Sequence, residues 1–451
     1  MLARLASLLW GQFQSKAEVR KFIVLGLIFF LIIGSYWALR PVKHSIFCAI
    51  VGIQYEPLAK IISLFVIIPI LFGYSKLVDL YPRRTVFYLL TAVYGLLSLF
   101  FAWRFMQPSC GILSLETDPT RLIGWLWFIF VESFGSLMVS LFWAITTDIT
   151  DAESAKRGFP LIVVLGQSGN IVGPLVLQAR RYGFAHSGPI VAIISLIMFS
   201  MGALMWFFFH STPKDQLKGY VSKKEVPAQK RRPGVLEGFF HIATKPYLLA
   251  IVGIVMAYEA IITVVDYHFL ALAKSVYVTE IDYNTYLNSY AIWTGIVATG
   301  CIILGISNVQ RRLGMTASLF LMPILTIIGV LAITTYPTLS IAFWTIVISK
   351  AVNYALNQPV IKQLYIPTSK DSRYKAQAWI DLFGSRGSKA IGSGTNLTRG
   401  VLTSLYGPFG LTLFLFGFCG ASMVVVVGWL FGAHYLASTY KEAIDNNEIV
   451  C

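Results

Sequence analysis

Apolar runs near 22–39, 57–77, 85–103, 122–147, 159–179 and 188–210, then near 247–273, 285–306, 312–335, 338–360, 378–404 and 408–431, leave this chain one class of fold. A helix needs about 20 predominantly apolar residues to cross the hydrocarbon core of a bilayer. Inside that core every backbone N–H and C=O must be bonded within the protein, which a helix achieves on its own. The chain therefore reads as an all-α polytopic membrane protein of about twelve transmembrane helices, with the eleventh run the least apolar. Composition agrees: 56% of residues are hydrophobic and 13% charged, a balance that soluble domains do not carry.

Charge divides the chain further. Residues 1–21 read as a cytoplasmic tail, 22–210 as a six-helix bundle, 247–431 as a second six-helix bundle and 432–451 as a cytoplasmic tail. The segment 211–246 carries Lys214, Lys218, Lys223, Lys224, Lys230, Arg231 and Arg232 among prolines and reads as a cytoplasmic linker. Basic residues recur in alternate loops: Arg4, Lys16, Arg20 and Lys21; Lys76, Arg83 and Arg84; Lys156 and Arg157; Arg311 and Arg312; Lys370, Arg373 and Lys375. Lys and Arg accumulate on the cytoplasmic side, so both termini are expected there. A bacterial inner membrane is the simplest location. The net charge of +15 is accounted for by this loop bias, and no nucleic-acid partner is implied. Cys48, Cys110, Cys301, Cys419 and Cys451 are scattered without metal-like pairs, so neither disulfides nor a metal or other cofactor are expected.

Lys43, Glu132, Asp266 and Lys389 lie inside or at the end of apolar runs. An ionised side chain at the bilayer centre costs about 2.5–3.5 kcal/mol on insertion scales, so such residues normally face a cavity and mark a substrate or ion path. Arg40 and Lys43, three apart, share a face if the first helix continues past Pro41, a pairing that suits phosphates. The competing reading is that both snorkel to the interface. Arg386 and Lys389 form a second basic pair with the same spacing, set among Gly384, Gly387, Gly392 and Gly394. Either they face a cavity or they pair with a neighbouring helix. Glu132 is too short to snorkel. In the seventh run Glu259 and Asp266 stand seven apart, on one helix face. Gly169 and Gly173 have the spacing of close helix packing. Neither an HExxH nor a GxxxxGK[ST] sequence is present, so no enzyme is read from the chain.

Six helices, a linker and six more resemble the major-facilitator arrangement of alternating-access transporters. More specifically, the chain resembles the non-mitochondrial ATP/ADP antiporters of plastids and obligate intracellular bacteria. The pieces that carry the resemblance are Leu39-Arg40-Pro41-Val42-Lys43, Glu132-Ser133-Phe134-Gly135-Ser136 with Phe142-Trp143, and Glu153-Ser154-Ala155-Lys156-Arg157-Gly158-Phe159-Pro160-Leu161. Tyr365-Ile366-Pro367, Lys375-Ala376-Gln377-Ala378-Trp379-Ile380-Asp381 and Lys389 follow in order. The resemblance implies a nucleotide transporter, with two membrane lysines and two membrane acids falling on Lys43, Lys389, Glu132 and Asp266, Glu259 being the rival of Asp266. The lysines would neutralise phosphates, helped by Arg40 and Arg386, and excess buried positive charge in the empty protein would enforce exchange. Pro41 and the Val360-Ile361-Lys362-Gln363-Leu364 stretch depart from the family pattern. They leave NAD/ADP exchange or proton-coupled nucleoside triphosphate import as the alternative. The bilayer and the nucleotide are the expected partners, and a bundle of this size can work as a monomer.

Overall fold

The computed structural model describes residues 15–108, 111–113, 117–213, 217, 242, 244–303, 307–369, 380, 384–446 and 448–450. Among them the secondary structure is helical and turn, with no strand. Each apolar run carries a helix: α1 Lys16–Ile50, α2 Glu56–Leu80, α3 Arg83–Phe105, α4 Leu122–Asp148, α5 Ala152–Val176 and α6 Gly188–Ser211. The later runs carry α7 Pro246–Val276, α8 Glu280–Ile303, α9 Ser307–Thr335, α10 Leu339–Gln363, α11 Ser385–Tyr406 and α12 Pro408–Asn446. Among the described residues ten of these are long and apolar enough to cross a membrane, the described parts of α8 and α11 being the two that are not. In α11 the buried stripe is Ser388, Gly392, Ser393 and Asn396, and Asn396 donates to the Thr263 carbonyl of α7 at 3.3 Å. A small, polar stripe makes the eleventh run the least apolar. Most of the basic 211–246 segment, and 375–379 with Asp381, lie outside the described residues.

Several helices outrun their apolar cores. The first was expected to end at 39, yet α1 continues through Pro41 to Ile50. Proline inside a helix withholds one N–H, here from the Trp37 carbonyl, a loss that membrane helices tolerate when packed neighbours hold the turn. The residues around the break, Trp37, Ala38, Leu39 and Val42, are all buried. At its other end Ser15 caps α1 by accepting from the Glu18 N–H at 3.1 Å. α12 extends past 431 to Asn446 through a segment in which Ala433, Leu436, Ala437, Lys441, Glu442 and Ala443 are good helix formers that need no membrane. Gly314 breaks α9 with φ 82°, a conformation that glycine adopts without strain. Within α10 the turn widens to π-helix over Asn353–Asn357, ahead of Pro359.

The chain forms two compact units. Unit 1 gathers the described residues of Met1–Ile53, Phe65–Ala228 and Tyr277–Gly295, and unit 2 those of Gln54–Leu64, Gln229–Val276 and Ile296–Cys451. The first turns of α2 thus belong with unit 2 and the first half of α8 with unit 1. Packing inside the units follows one scheme used twice. In unit 1, α1 packs on α4, α5 and α6, while α3 packs on α4 and α6. In unit 2, α7 packs on α10, α11 and α12, while α9 packs on α10 and α12. Adding six to each helix of the first set produces the second, the mark of an internal repeat.

The α1–α5 contact brings two backbones together. A Cβ at Gly173 would stand 2.1 Å from the Gly34 carbonyl oxygen, and one at Gly169 would stand 2.6 Å from that of Phe30. Close approach by small residues is how membrane helices associate without a hydrophobic drive between them. The piece beginning at Glu153 serves the same contact. Arg157 Nη2 meets Glu18 Oε1 at 2.9 Å, Gly158 lies against the Phe22 ring, and Lys21 Nζ donates to the Ile149 carbonyl at 2.5 Å. Asp151 caps α5, accepting from the N–H groups of Glu153 at 3.0 Å and Ser154 at 2.9 Å.

Gly173→Val is expected to destabilise the protein by about 1–3 kcal/mol through overpacking against backbone, whereas Gly253→Ala, with nothing within 4 Å of the new methyl group, is expected to cost nothing and to stabilise slightly; thermal unfolding in detergent compares them. The hydrogen bond from the Ser154 N–H, chief among several, holds the Asp151 carboxyl below its ordinary value of 3.8. A lowered folded-state pKa adds stability above 3.8, and that stability is lost as pH falls through the depressed value. Asp151→Asn keeps the cap and is expected to flatten this part of the acid limb in a pH series of melting temperatures. Asp151→Ala costs about 0.5–2 kcal/mol at neutral pH.

Candidate functional site

Unit 1 brings Lys43 and Glu132 together. Because α1 continues through Pro41, Lys43 reaches α4, where its Nζ lies 2.5 Å from Glu132 Oε1 and 4.3 Å from the centre of the Phe128 ring. The lysine side chain is 4% exposed and the glutamate side chain 35%, so the carboxylate stands over a buried ammonium. Lys43 is thus buried and paired with Glu132, whereas the snorkelling reading requires an extended, exposed side chain. Arg40 takes a different course: its guanidinium lies 4.8 Å from the Trp37 ring and 5.8 Å from the Tyr36 ring. Around Glu132, Ser136 donates to the Glu132 carbonyl at 3.1 Å and Tyr94 donates to Ser133 at 3.0 Å. Gly135 exists for packing, since a Cβ there would come within 2.2 Å of the Tyr36 ring.

Unit 2 holds the other predicted charges in two groups. Lys389 Nζ lies 3.6 Å from Glu259 Oε2, with the lysine side chain 51% exposed, a loose contact that other groups can displace. Arg386 is half-buried one turn before Lys389 on α11. Gly392 lets α11 approach the Ala260 carbonyl of α7, while Gly387 and Gly394 face open space. Two turns along α7, about 10 Å at 1.5 Å per residue, Asp266 meets Lys350 of α10 at 2.6 Å and Lys60 of α2 at 3.4 Å. Lys60 also meets Glu56, which is fully buried, at 2.9 Å. Glu259 and Asp266 are thus both engaged, each by different lysines.

Lys60 and Lys350 escape the sequence reading. Both stand within apolar runs, so the criterion that selects Lys389 also selects them; Asp266 lies 206 and 84 residues away from them along the chain. The polar amides serve the helices. Asn288 donates to the Asn284 side chain at 2.8 Å, and Asn357 to that of Asn353 at 2.8 Å. A buried group at the start of α8 and α6 completes unit 1. Glu280 Oε1 accepts from Ser45 and Ser187, each at 2.6 Å, while Oε2 accepts from the Ser187 N–H at 3.0 Å.

Long apolar helices carrying ion pairs, set on a twice-used packing scheme, define a polytopic membrane protein of two similar helical units. Solved structures of that architecture resemble the chain throughout. They include a bacterial homologue of the iron transporter ferroportin, with TM-score 0.64 and 11% identity over 93% of this chain and 100% of that one. A bacterial homologue of the human lysosomal transporter Spinster superposes with TM-score 0.61 and 15% identity over 95% of this chain and 98% of that one. The chain belongs to the TLC ATP/ADP transporter family, whose model matches residues 2–336. Similar curated proteins include ADP,ATP carrier protein 1 of Rickettsia typhi, 23% identical over 99% of this chain and 98% of that protein. ADP,ATP carrier protein 1 of Rickettsia prowazekii is 24% identical over the same shares.

Removing one partner of a buried ion pair costs about 3–5 kcal/mol because a charge is stranded. The exposure of Glu132 places Glu132→Gln below that range, and Lys43→Met/Glu132→Leu is expected to recover most of the loss. Melting temperatures of the parent, the single and the double variant in detergent measure both effects.

Proposed function

We propose that this protein exchanges ATP for ADP across a bacterial inner membrane by alternating access, as a monomer with both termini in the cytoplasm. Lys43 and Lys389 bind phosphate oxygens, Arg40 and Arg386 add to the field, and Glu132, Glu259 and Asp266 hold the lysines when no nucleotide is present. The observation that carries the proposal is the Lys43–Glu132 pair at 2.5 Å, found in a chain that belongs to an ATP/ADP transporter family. An ammonium held by one carboxylate inside a membrane protein keeps its orientation and charge. A phosphate, with more oxygens and more charge than a carboxylate, can replace that partner through charge-assisted hydrogen bonds.

The pairs alter the argument for exchange. The lysines are not bare in the empty protein. Lys43 is held by Glu132 and Lys389 by Glu259. Exchange follows if the protein reorients more readily with phosphates on these lysines than when empty, so that entry of one nucleotide is tied to exit of another.

Uptake of labelled ATP, ADP, NAD and GTP into proteoliposomes loaded with each unlabelled nucleotide tests the reading. Labelled ATP is expected to enter vesicles holding ADP and not empty ones. Entry of NAD or GTP instead, or entry into empty vesicles driven by a pH gradient, replaces ATP/ADP exchange by a different cargo or coupling. Lys43→Ala and Lys389→Ala are each expected to slow exchange by about 10–100-fold, the worth of a lost charge-assisted hydrogen bond. Parent rates in both, with correct insertion, would contradict their assignment.

A further inference from the structure

The repeated packing scheme makes α1 the counterpart of α7 and α4 the counterpart of α10. The α1–α4 contact carries Lys43–Glu132, and the α7–α10 contact carries Asp266–Lys350, at 2.5 and 2.6 Å. The same pair therefore occurs twice with its sign reversed: cation on the first helix and acid on the fourth in unit 1, acid on the first and cation on the fourth in unit 2. On the first helices the positions differ, Lys43 lying 27 residues past Lys16 and Asp266 20 past Pro246, but on the fourth helices they agree. The distance from Leu122 to Glu132 in α4 and from Leu339 to Lys350 in α10 agrees within one residue. A buried pair adds little stability over apolar packing, so its recurrence with opposite sign on equivalent helices points to a use beyond packing.

Asp266 receives two cations, Lys350 on Oδ1 at 2.6 Å and Lys60 on Oδ2 at 3.4 Å. Two ammonium groups converging on the two oxygens of one carboxylate make the arrangement that grips an oxyanion. None of the three is sealed off: their side chains are 11%, 16% and 15% exposed for Lys350, Lys60 and Asp266. Lys60 has a second acid, Glu56, at 2.9 Å and stays compensated if Asp266 moves away. The π-turn at Asn353–Asn357 begins three residues past Lys350, and such widened turns re-aim the side chains of a helix where function needs it.

We propose that Lys350 is a further phosphate-binding residue of the transport site and that Asp266 is its placeholder, occupying between Lys350 and Lys60 the position of a nucleotide phosphate oxygen. The proposal rests on the nucleotide reading above and adds a specificity element to it. Lys389 and Lys350 meet α7 about 10 Å apart along the helix axis, so they grip different parts of one extended substrate. A nucleotide with a longer phosphate chain gains from Lys350, and one with a single phosphate does not.

The test compares Lys350→Gln, Lys350→Arg and Lys350→Met/Asp266→Leu in ADP-loaded proteoliposomes, with folding checked by size-exclusion profile. Lys350→Gln is expected to raise the KM for ATP about tenfold or more, the loss of one charge-assisted hydrogen bond, while Lys350→Arg stays near the parent. The double variant removes both members of the pair and leaves Lys60 with Glu56, and it is expected to fold and to retain the raised KM. A purely structural pair predicts the reverse, with the double variant back at the parent KM, and that result overturns the proposal. Lys350→Gln/Asp266→Asn, nearly isosteric with the parent, makes the same comparison if the apolar double variant does not fold. A thermal-shift series with inorganic tripolyphosphate in detergent separates this inference from the nucleotide reading. If the parent carries no nucleotide but is stabilised by tripolyphosphate only while Lys350 is present, the nucleotide reading fails and the anion position stands. Equal stabilisation of parent and double variant removes the anion position whatever the protein carries.

Discussion

The lysines within the apolar runs answer to one constraint: an ammonium set among apolar helices must have a carboxylate on a neighbouring helix. Lys43 with Glu132, Lys350 and Lys60 with Asp266, and Lys389 with Glu259 each satisfy it within one compact unit. In low dielectric neither partner is easily given up, and a lone charge left behind is far worse than an intact pair. Such a pair is also the device a carrier of anions needs. It keeps the cation charged and oriented without a substrate, and it yields to a ligand that offers the ammonium a better partner.

Helix packing sets how well those pairs are placed. The close backbone contact of α1 with α5 at Gly34, Gly169 and Gly173, and of α11 with α7 at Gly392, fixes the helices that carry Lys43, Lys389 and Glu259. Lys43 depends further on α1 running unbroken through Pro41. A helix ending at the last apolar residue before Arg40 would leave both basic side chains at an interface. The burial of Trp37, Leu39 and Val42 around the proline holds the turn in place and brings Lys43 to α4.

Much of the architecture was legible in the chain, because a bilayer allows few folds and rewards a strict pattern. All twelve apolar runs carry helices, and the least apolar of them is poor in hydrophobic residues because it buries Ser388, Ser393 and Asn396. Helix ends were less legible: hydropathy marks where the hydrocarbon stops, whereas α1 and α12 end where capping and packing stop. The charged positions were legible one at a time, since any ionisable residue in an apolar run stands out. Their partners were not. Asp266 meets Lys350 only because α7 packs on α10, and the sign reversal relative to Lys43–Glu132 is visible only once the packing of the two units is compared. Motif resemblance carried a similar blind spot. The Glu153 to Leu161 piece looks functional by its charge, yet Arg157 and Gly158 dock α5 on α1 through Glu18 and Phe22.

The central claim is that nucleotide phosphates take the place of carboxylates on membrane lysines. A structure determined with ADP bound tests it most directly. The account predicts that Lys43 Nζ lies within hydrogen-bond distance of a phosphate oxygen and that its 2.5 Å contact with Glu132 has opened. An intact Lys43–Glu132 pair, with the phosphates held by other residues, would contradict it.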